Sequence, residues 1–187
     1  MGSNIMRKAL YLFLILAAVS ACGGQYGSSS DAQNFSIVIP EGWRKIHTAR
    51  YFILTREGAF SQYILVQQRP INKPFRHSDG KLKKDMLPDE AAEVILNEIS
   101  SDSRVSDLQI IEQVPAKVGR YDGFKIVFTY RDQEGLKYKT VYYGFMQANW
   151  FYSLRYSAGE TKYSSEDIQT FKGILDSFEI KKAGSAS

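Results

Sequence analysis

"YDGFKIVFTYRDQEGLKYKTVYYGFMQANWFYSLRYS", residues 121–157, decides the fold. Phe124, Ile126, Phe128 and Tyr130 alternate with Lys125, Val127, Thr129 and Arg131, the period of two that marks a strand. Arg120–Gly123 reads as the turn leading into it, and Asp132–Gly135 as a hairpin turn. Lys137–Met146 and Trp150–Ser157 form two more strands, parted only by Gln147-Ala148-Asn149. Parallel strands need crossovers of a dozen residues or more, so joins this short make an antiparallel meander.

Outward from the meander, Gln109–Val114 reads as a strand that stops at Pro115. Further upstream, Phe35–Ile39 is expected as a first strand, with Phe35, Ile37 and Ile39 on one face. Pro40-Glu41-Gly42 turns the chain, Trp43 opens a short strand to Ile46, and Tyr51–Thr55 is a third. Gln62–Arg69 has an almost unbroken apolar centre, which predicts cover on both faces. Residues 70–86, PINKPFRHSDGKLKKDM, then break the pattern with two prolines and a glycine. Loops longer than about 12–15 residues are uncommon and tend to carry function. Pro88 suits the first position of a helix, with Asp89 and Glu90 in its first turn. Leu87, Ala91, Val94, Ile95 and Ile99 recur at helical spacing.

After the meander, Ser164 caps a second helix, with Asp167 three residues on. Ile168, Phe171, Ile174, Leu175 and Phe178 form its apolar stripe, and Phe178–Ile180 adds a short edge strand. The fold class is therefore α+β, a mainly antiparallel sheet of about seven strands with two helices packed on it.

Of the 187 residues, 44% are hydrophobic and 24% charged, ordinary globular composition for one domain. The formal charge is +4 and falls to +2 without Arg7 and Lys8, so the pI near 9.0 partly describes the N-terminal segment. A charge this small, with no basic motif, points away from nucleic acid.

That N-terminal segment has its own plan. Arg7 and Lys8 precede an apolar run over 9–19, then small residues and the single cysteine, Cys22. A spanning helix needs about 20 apolar residues; a short run after a positive region reads as a secretory signal peptide over 1–21, starting at Met1 or Met6. Val19-Ser20-Ala21-Cys22 resembles the lipobox of bacterial lipoproteins. The resemblance implies that Cys22 is the lipid-attachment residue and the mature N-terminus. Several acyl chains on one residue anchor stably where a single chain holds only marginally. Residues 22–34 then form a flexible polar tether, and 181–187 a frayed tail. Gly23 stands where an aspartate would resemble an inner-membrane retention signal. The expected location is therefore the cell envelope, at the outer membrane facing the periplasm.

Catalytic chemistry finds little purchase. His47 and His77 lack HxH or HExxH spacing, and a zinc site needs three or four nitrogen or sulfur ligands. There is no GxSxG, Walker loop or GxGxxG. Asp85, Asp89, Glu90 and Glu93 cluster at the helix start, where the dipole favours them. No cofactor, metal or catalytic residue is therefore expected. The long loop is basic: Lys73, Arg76, Lys81, Lys83 and Lys84 outnumber Asp79 and Asp85, and these five are the candidate contacts to a partner or an anionic membrane. Tyr138, Tyr142, Tyr143, Trp150, Tyr152 and Tyr156 either pack the sheet core or form a binding face.

The domain over 35–180 resembles the PsbP/Mog1-like group. The resemblance rests on Phe35-Ser36-Ile37 leading to Pro40-Glu41-Gly42-Trp43, on the helix near 88–100, on Tyr121-Asp122-Gly123-Phe124, and on the closing Ser177-Phe178. It implies an α/β/α sandwich used without catalysis to dock on larger assemblies. The expected function is a lipid-anchored, non-catalytic binding or assembly factor of the envelope, with a membrane contact through Cys22 and a protein partner. A carrier or sensor of a small apolar ligand, and a hydrolase, are the other readings.

Overall fold

The strongly alternating segments all pair in one sheet. In a computed structural model of the chain, residues 34–47, 51–56 and 61–181 are described. The strands are β1 (Phe35–Ser36), β2 (Arg44–His47), β3 (Tyr51–Thr55), β4 (Gln62–Pro70), β5 (Ser106–Val118), β6 (Tyr121–Arg131), β7 (Lys137–Gln147), β8 (Trp150–Gly159) and β9 (Glu179–Ile180). Two helices interrupt them, α1 (Pro88–Ser100) and α2 (Ser165–Asp176). Seven strands form an antiparallel sheet in the order β2-β3-β4-β8-β7-β6-β5. β1 and β9 pair separately, with Phe35 opposite Ile180.

This is the expected sheet with its meander, and the boundaries differ most at β1, β5 and β6. β1 ends at Ser36, before the expected Ile39, and Val38 and Ile39 are exposed. β5 continues through Pro115 to Val118. It is an edge strand, so the proline withholds no hydrogen bond that a further strand would require. Tyr121, expected in a turn, opens β6 instead, because Gly119 and Arg120 alone make the reversal. Gly119 has φ +53°, and a Cβ there would lie 2.7 Å from the Phe178 carbonyl oxygen, so only glycine fits without strain.

The helices start as their sequences dictate. In α1, Pro88 occupies the first turn and the Glu90 carboxylate accepts the Leu87 N–H at 2.8 Å. Ala91, Ala92 and Ile95 are buried, whereas Leu87, expected in the stripe, is exposed. In α2 the Ser164 hydroxyl accepts the Asp167 N–H at 3.1 Å, the expected cap.

Register sorts the sheet into two faces. Val127, Val141, Tyr156, Ile64 and Leu54 are successive cross-strand partners and belong to the core that takes Phe171, Ile174 and Leu175 of α2. Ile126 and Tyr142, one residue along, pack with Ala91, Ala92 and Ile95 of α1. The helices therefore cover opposite faces, as in an α/β/α sandwich. β4 sits inside the sheet with Ile64, Leu65 and Val66 all buried, which accounts for its unbroken apolar run.

Candidate functional site

On the α1 face, β8 breaks the apolar rule. Its sequence WFYSLRYSAG alternates, so Tyr152, Leu154, Tyr156 and Ala158 enter the α2 core while Ser153, Arg155 and Ser157 face the α1 side. β8 lies between β4 and β7, so this polar row sits in the middle of the sheet. Arg155 is opposite Tyr142 on one side and Leu65 on the other. α1 packs beside it, over Phe124, Ile126 and Phe128 of β6, and leaves the β8–β4 part of the face open.

The result is a cleft of about 400 Å³. The sheet supplies Tyr142, Ser153, Arg155, Gln67 and Arg69; α1 supplies Ile95, Glu98 and Ile99; the long loop supplies Lys73 to His77; and Asp102 and Arg104 follow the helix. Five cations and two carboxylates line it.

Both carboxylates are already engaged. Glu98 accepts the backbone N–H groups of Arg76 and His77, each at 3.0 Å, and so ties the loop to the last turn of α1. Asp102 takes a two-pronged contact from Arg104, with Nε at 3.0 Å and Nη2 at 2.7 Å, and lies 3.5 Å from His77 Nε2. The Arg104 hydrogen bond above all holds the Asp102 carboxyl down at about 2.

The inner cations are different. Arg69 stacks on Phe75, with its guanidinium carbon 3.9 Å from the ring centroid, and donates from Nη2 to the Lys73 carbonyl. Arg155 lies 5.6 Å from the Tyr63 ring centroid. The Nε of each is buried without a hydrogen-bond partner, and among the described residues no carboxylate pairs with either. Around them stand neutral hydroxyls. Burial pushes the Tyr142 phenol up, partly offset by a hydrogen bond with Ser153 and by the Arg155 and Arg69 charges. Tyr130 is pushed up to about 12, by burial first. Thr140 Oγ1 and Ser157 Oγ are 2.9 Å apart.

The structure divides the five basic loop residues singled out in the sequence. Lys73 and Arg76 line the cleft. Lys81, Lys83 and Lys84 are exposed outside it, flanking Leu82, which is buried under α1. His77 joins the cleft, whereas His47 lies on β2 at the far sheet edge. Tyr142, Tyr152 and Tyr156 are buried in the two cores, Tyr138 is buried outside them, and Tyr143 and Trp150 pack half-buried against the α2 core. Among the described residues, no group of three or more His, Cys, Asp and Glu could hold a metal ion. The expected signal peptide, Cys22 and residues 23–33 of the tether lie outside the described residues. Arg69, Arg104, Ser153 and Arg155 were not identified from the sequence; the signal for the last two is the serine–arginine–serine alternation of β8.

No protein-family model matches the sequence, and no curated protein matches it significantly. Solved structures do match in fold. The solution structure of cyanobacterial PsbP (CyanoP) from Synechocystis sp. PCC 6803 is 11% identical with a TM-score of 0.56, over 87% of this chain and 98% of that one. LpqN of Mycobacterium tuberculosis, described as involved in cell envelope biogenesis, is 12% identical with a TM-score of 0.52, over 79% and 83%. A point mutant of the protein Mog1 is 10% identical with a TM-score of 0.51, over 80% and 92%. A Bacteroides thetaiotaomicron protein also matches, but this chain spans only 47% of its length. The fold is Mog1/PsbP-like.

Proposed function

We propose that this protein is a lipid-anchored, non-catalytic binding factor of the cell envelope that engages its partner through the cleft between β4–β8, α1 and the loop after β4. The observation that carries this reading is Arg155, a cation on a central strand, lining an open cleft with its Nε buried and unpartnered. A folded protein keeps few buried polar groups unsatisfied, so one that lines an open cleft supports a ligand there. The lipobox-like Val19-Ser20-Ala21-Cys22 supports the anchor, and the involvement of LpqN, a protein of the same fold, in cell envelope biogenesis agrees with it. The cations along the cleft disfavour an apolar ligand, which would leave them desolvated and unpaired.

Site-specific photocrosslinking tests the reading. A photoreactive residue in place of Arg76, at the cleft, should give a discrete adduct in membranes. The same residue in place of Lys172, exposed on α2 across the sheet, should give none. Changing Cys22→Ser should release the protein from membranes and remove the adduct. Equal labelling from both positions, or a Cys22→Ser chain that stays membrane-bound through a salt wash, would overturn it.

A further inference from the structure

Resting on that cleft as the binding site, we infer that its ligand is a phosphate ester, held at the phosphate by Arg155 and Arg69. Arg155 has no carboxylate beside it; its electrostatic neighbours are the hydroxyls of Tyr63, Tyr142 and Tyr130 and a further cation, Arg104. Arg155 is half-buried, with its Nε shut off from solvent and unpaired, and a donor left that way carries a desolvation penalty. An anion arriving from solvent removes that penalty, and the folded chain offers none: Glu98 is held by two backbone N–H groups and Asp102 by Arg104.

The number of charges selects among anions. Arg69, Lys73, Arg76 and Arg155 all line the cleft, none of them paired with a carboxylate there. With Arg104 they make five cations against Glu98, which acts on Arg69, and Asp102, and this cationic excess matches a dianion better than the single charge of a carboxylate. Guanidinium groups bind phosphate oxygens in a two-pronged geometry, at charge-assisted strength. Tyr142 and Ser153, both buried on the sheet floor, add hydroxyls that can donate to the remaining oxygens. The cleft, at about 400 Å³, is several times larger than inorganic phosphate. Phe75, Phe151 and Ile99 on its walls suit the organic part of an ester. The same chemistry is offered by a soluble phosphomonoester and by a phosphatidic acid headgroup.

The test uses the full chain in detergent, with thermal unfolding in sodium phosphate, glycerol 3-phosphate and acetate at matched ionic strength. Both phosphates should raise Tm, by about 5–10 °C near a hundredfold excess over Kd, and acetate should not. In Arg155→Met the ligand-free Tm should rise by about 2–8 °C, because a half-buried cation with an unpaired Nε is replaced by an apolar chain of similar length. Its response to phosphate should vanish. A readout that needs no variant is the arginine Nε–H spectrum of the unmodified protein, where the Arg155 and Arg69 signals should move on adding phosphate. Co-sedimentation with phosphatidic acid against phosphatidylcholine vesicles, using full-length Cys22→Ser, separates the two sources: Arg155-dependent sedimentation assigns the headgroup, and a glycerol 3-phosphate response without it assigns the soluble ester. No phosphate-specific shift, a shift retained in Arg155→Met, or a variant that melts lower than its parent would each overturn the inference. Crosslinking from position 76 without any phosphate response would remove this inference and leave the binding role standing.

Discussion

On the α2 face of the sheet, Phe145 stacks on Tyr121 and Tyr152, with ring centroids 4.8 and 5.0 Å away, and meets Phe178 edge-on at 5.5 Å. On the α1 face, the same two strands present Thr140, Tyr142, Ser153, Arg155 and Ser157. The hydroxyls of the α2 face are paired: Tyr152 donates to Asn34 Oδ1 at 2.8 Å, and Tyr156 accepts from Gln62 Nε2 at 2.9 Å. Those of the α1 face pair with one another, Thr140 with Ser157 and Tyr142 with Ser153, but the guanidinium among them has no partner for its Nε. One face is filled with packed rings; the other is left polar and open where α1 does not reach. The α1 face keeps its own apolar cluster where the helix covers it, with Ile95, Ile126 and Phe128 buried, and the polar row is confined to the part beside it.

The comparison breaks most directly at Phe145. It is 1% exposed, and truncating a buried phenylalanine typically costs about 3–5 kcal/mol. Phe145→Ala should lower the urea unfolding midpoint by a corresponding amount, while the folded fraction keeps its phosphate response. A small loss of stability together with a lost response would mean that the two faces are not separable.

Gly144 sharpens the boundary between packing and site, since it lies on the α1 face opposite both Phe124 and Ser153. A Cβ there would come 2.5 Å from Phe124 Cζ and 2.8 Å from Phe151 Cζ. The two rings stack at 6.2 Å over this gap, and Phe151 also lines the cleft. Gly144→Ala should therefore destabilise by about 1–3 kcal/mol through overpacking and weaken ligand response as well, because the displaced ring is a cleft wall. Denaturant titration checks the first effect and thermal shift the second. Loss of stability alone would place Phe151 outside the site.

The difference in legibility between the two faces has a physical cause. Strand alternation exposes Phe124, Ile126 and Phe128 as one set without knowledge of any partner, and the capping of α2 by Ser164 is local chemistry. Both were readable. The Ser153-Arg155-Ser157 row was equally visible as an alternation, but its meaning depends on β8 lying between β7 and β4. On an edge strand those residues would face water. Strand order is a non-local property that no short window carries. The basic loop was visible for a similar reason to the strands, through local composition. Its division into Lys73 and Arg76 at the cleft and Lys81, Lys83 and Lys84 outside it follows from Glu98 binding the loop backbone and from Leu82 burying under α1.

Electrostatics give the α1 face a pH dependence at the cleft mouth. Asp102 is held at about 2 against an ordinary 3.8, by Arg104 first. A carboxyl depressed in the folded state stabilises above its unfolded value, and the contribution fades as pH falls from about 4 towards 2. Arg104 is more than half exposed, so solvent screening brings the effect down to about 1 kcal/mol. The unfolding free energy of the parent, from urea titration, should therefore fall more steeply than that of Asp102→Asn across this range, by about 1 kcal/mol in total. The variant should start lower at pH 5 and converge with the parent near pH 2. Parallel curves would show that Arg104 merely rests on Asp102 at the surface, and that the end of α1 holds the cleft mouth through Glu98 alone.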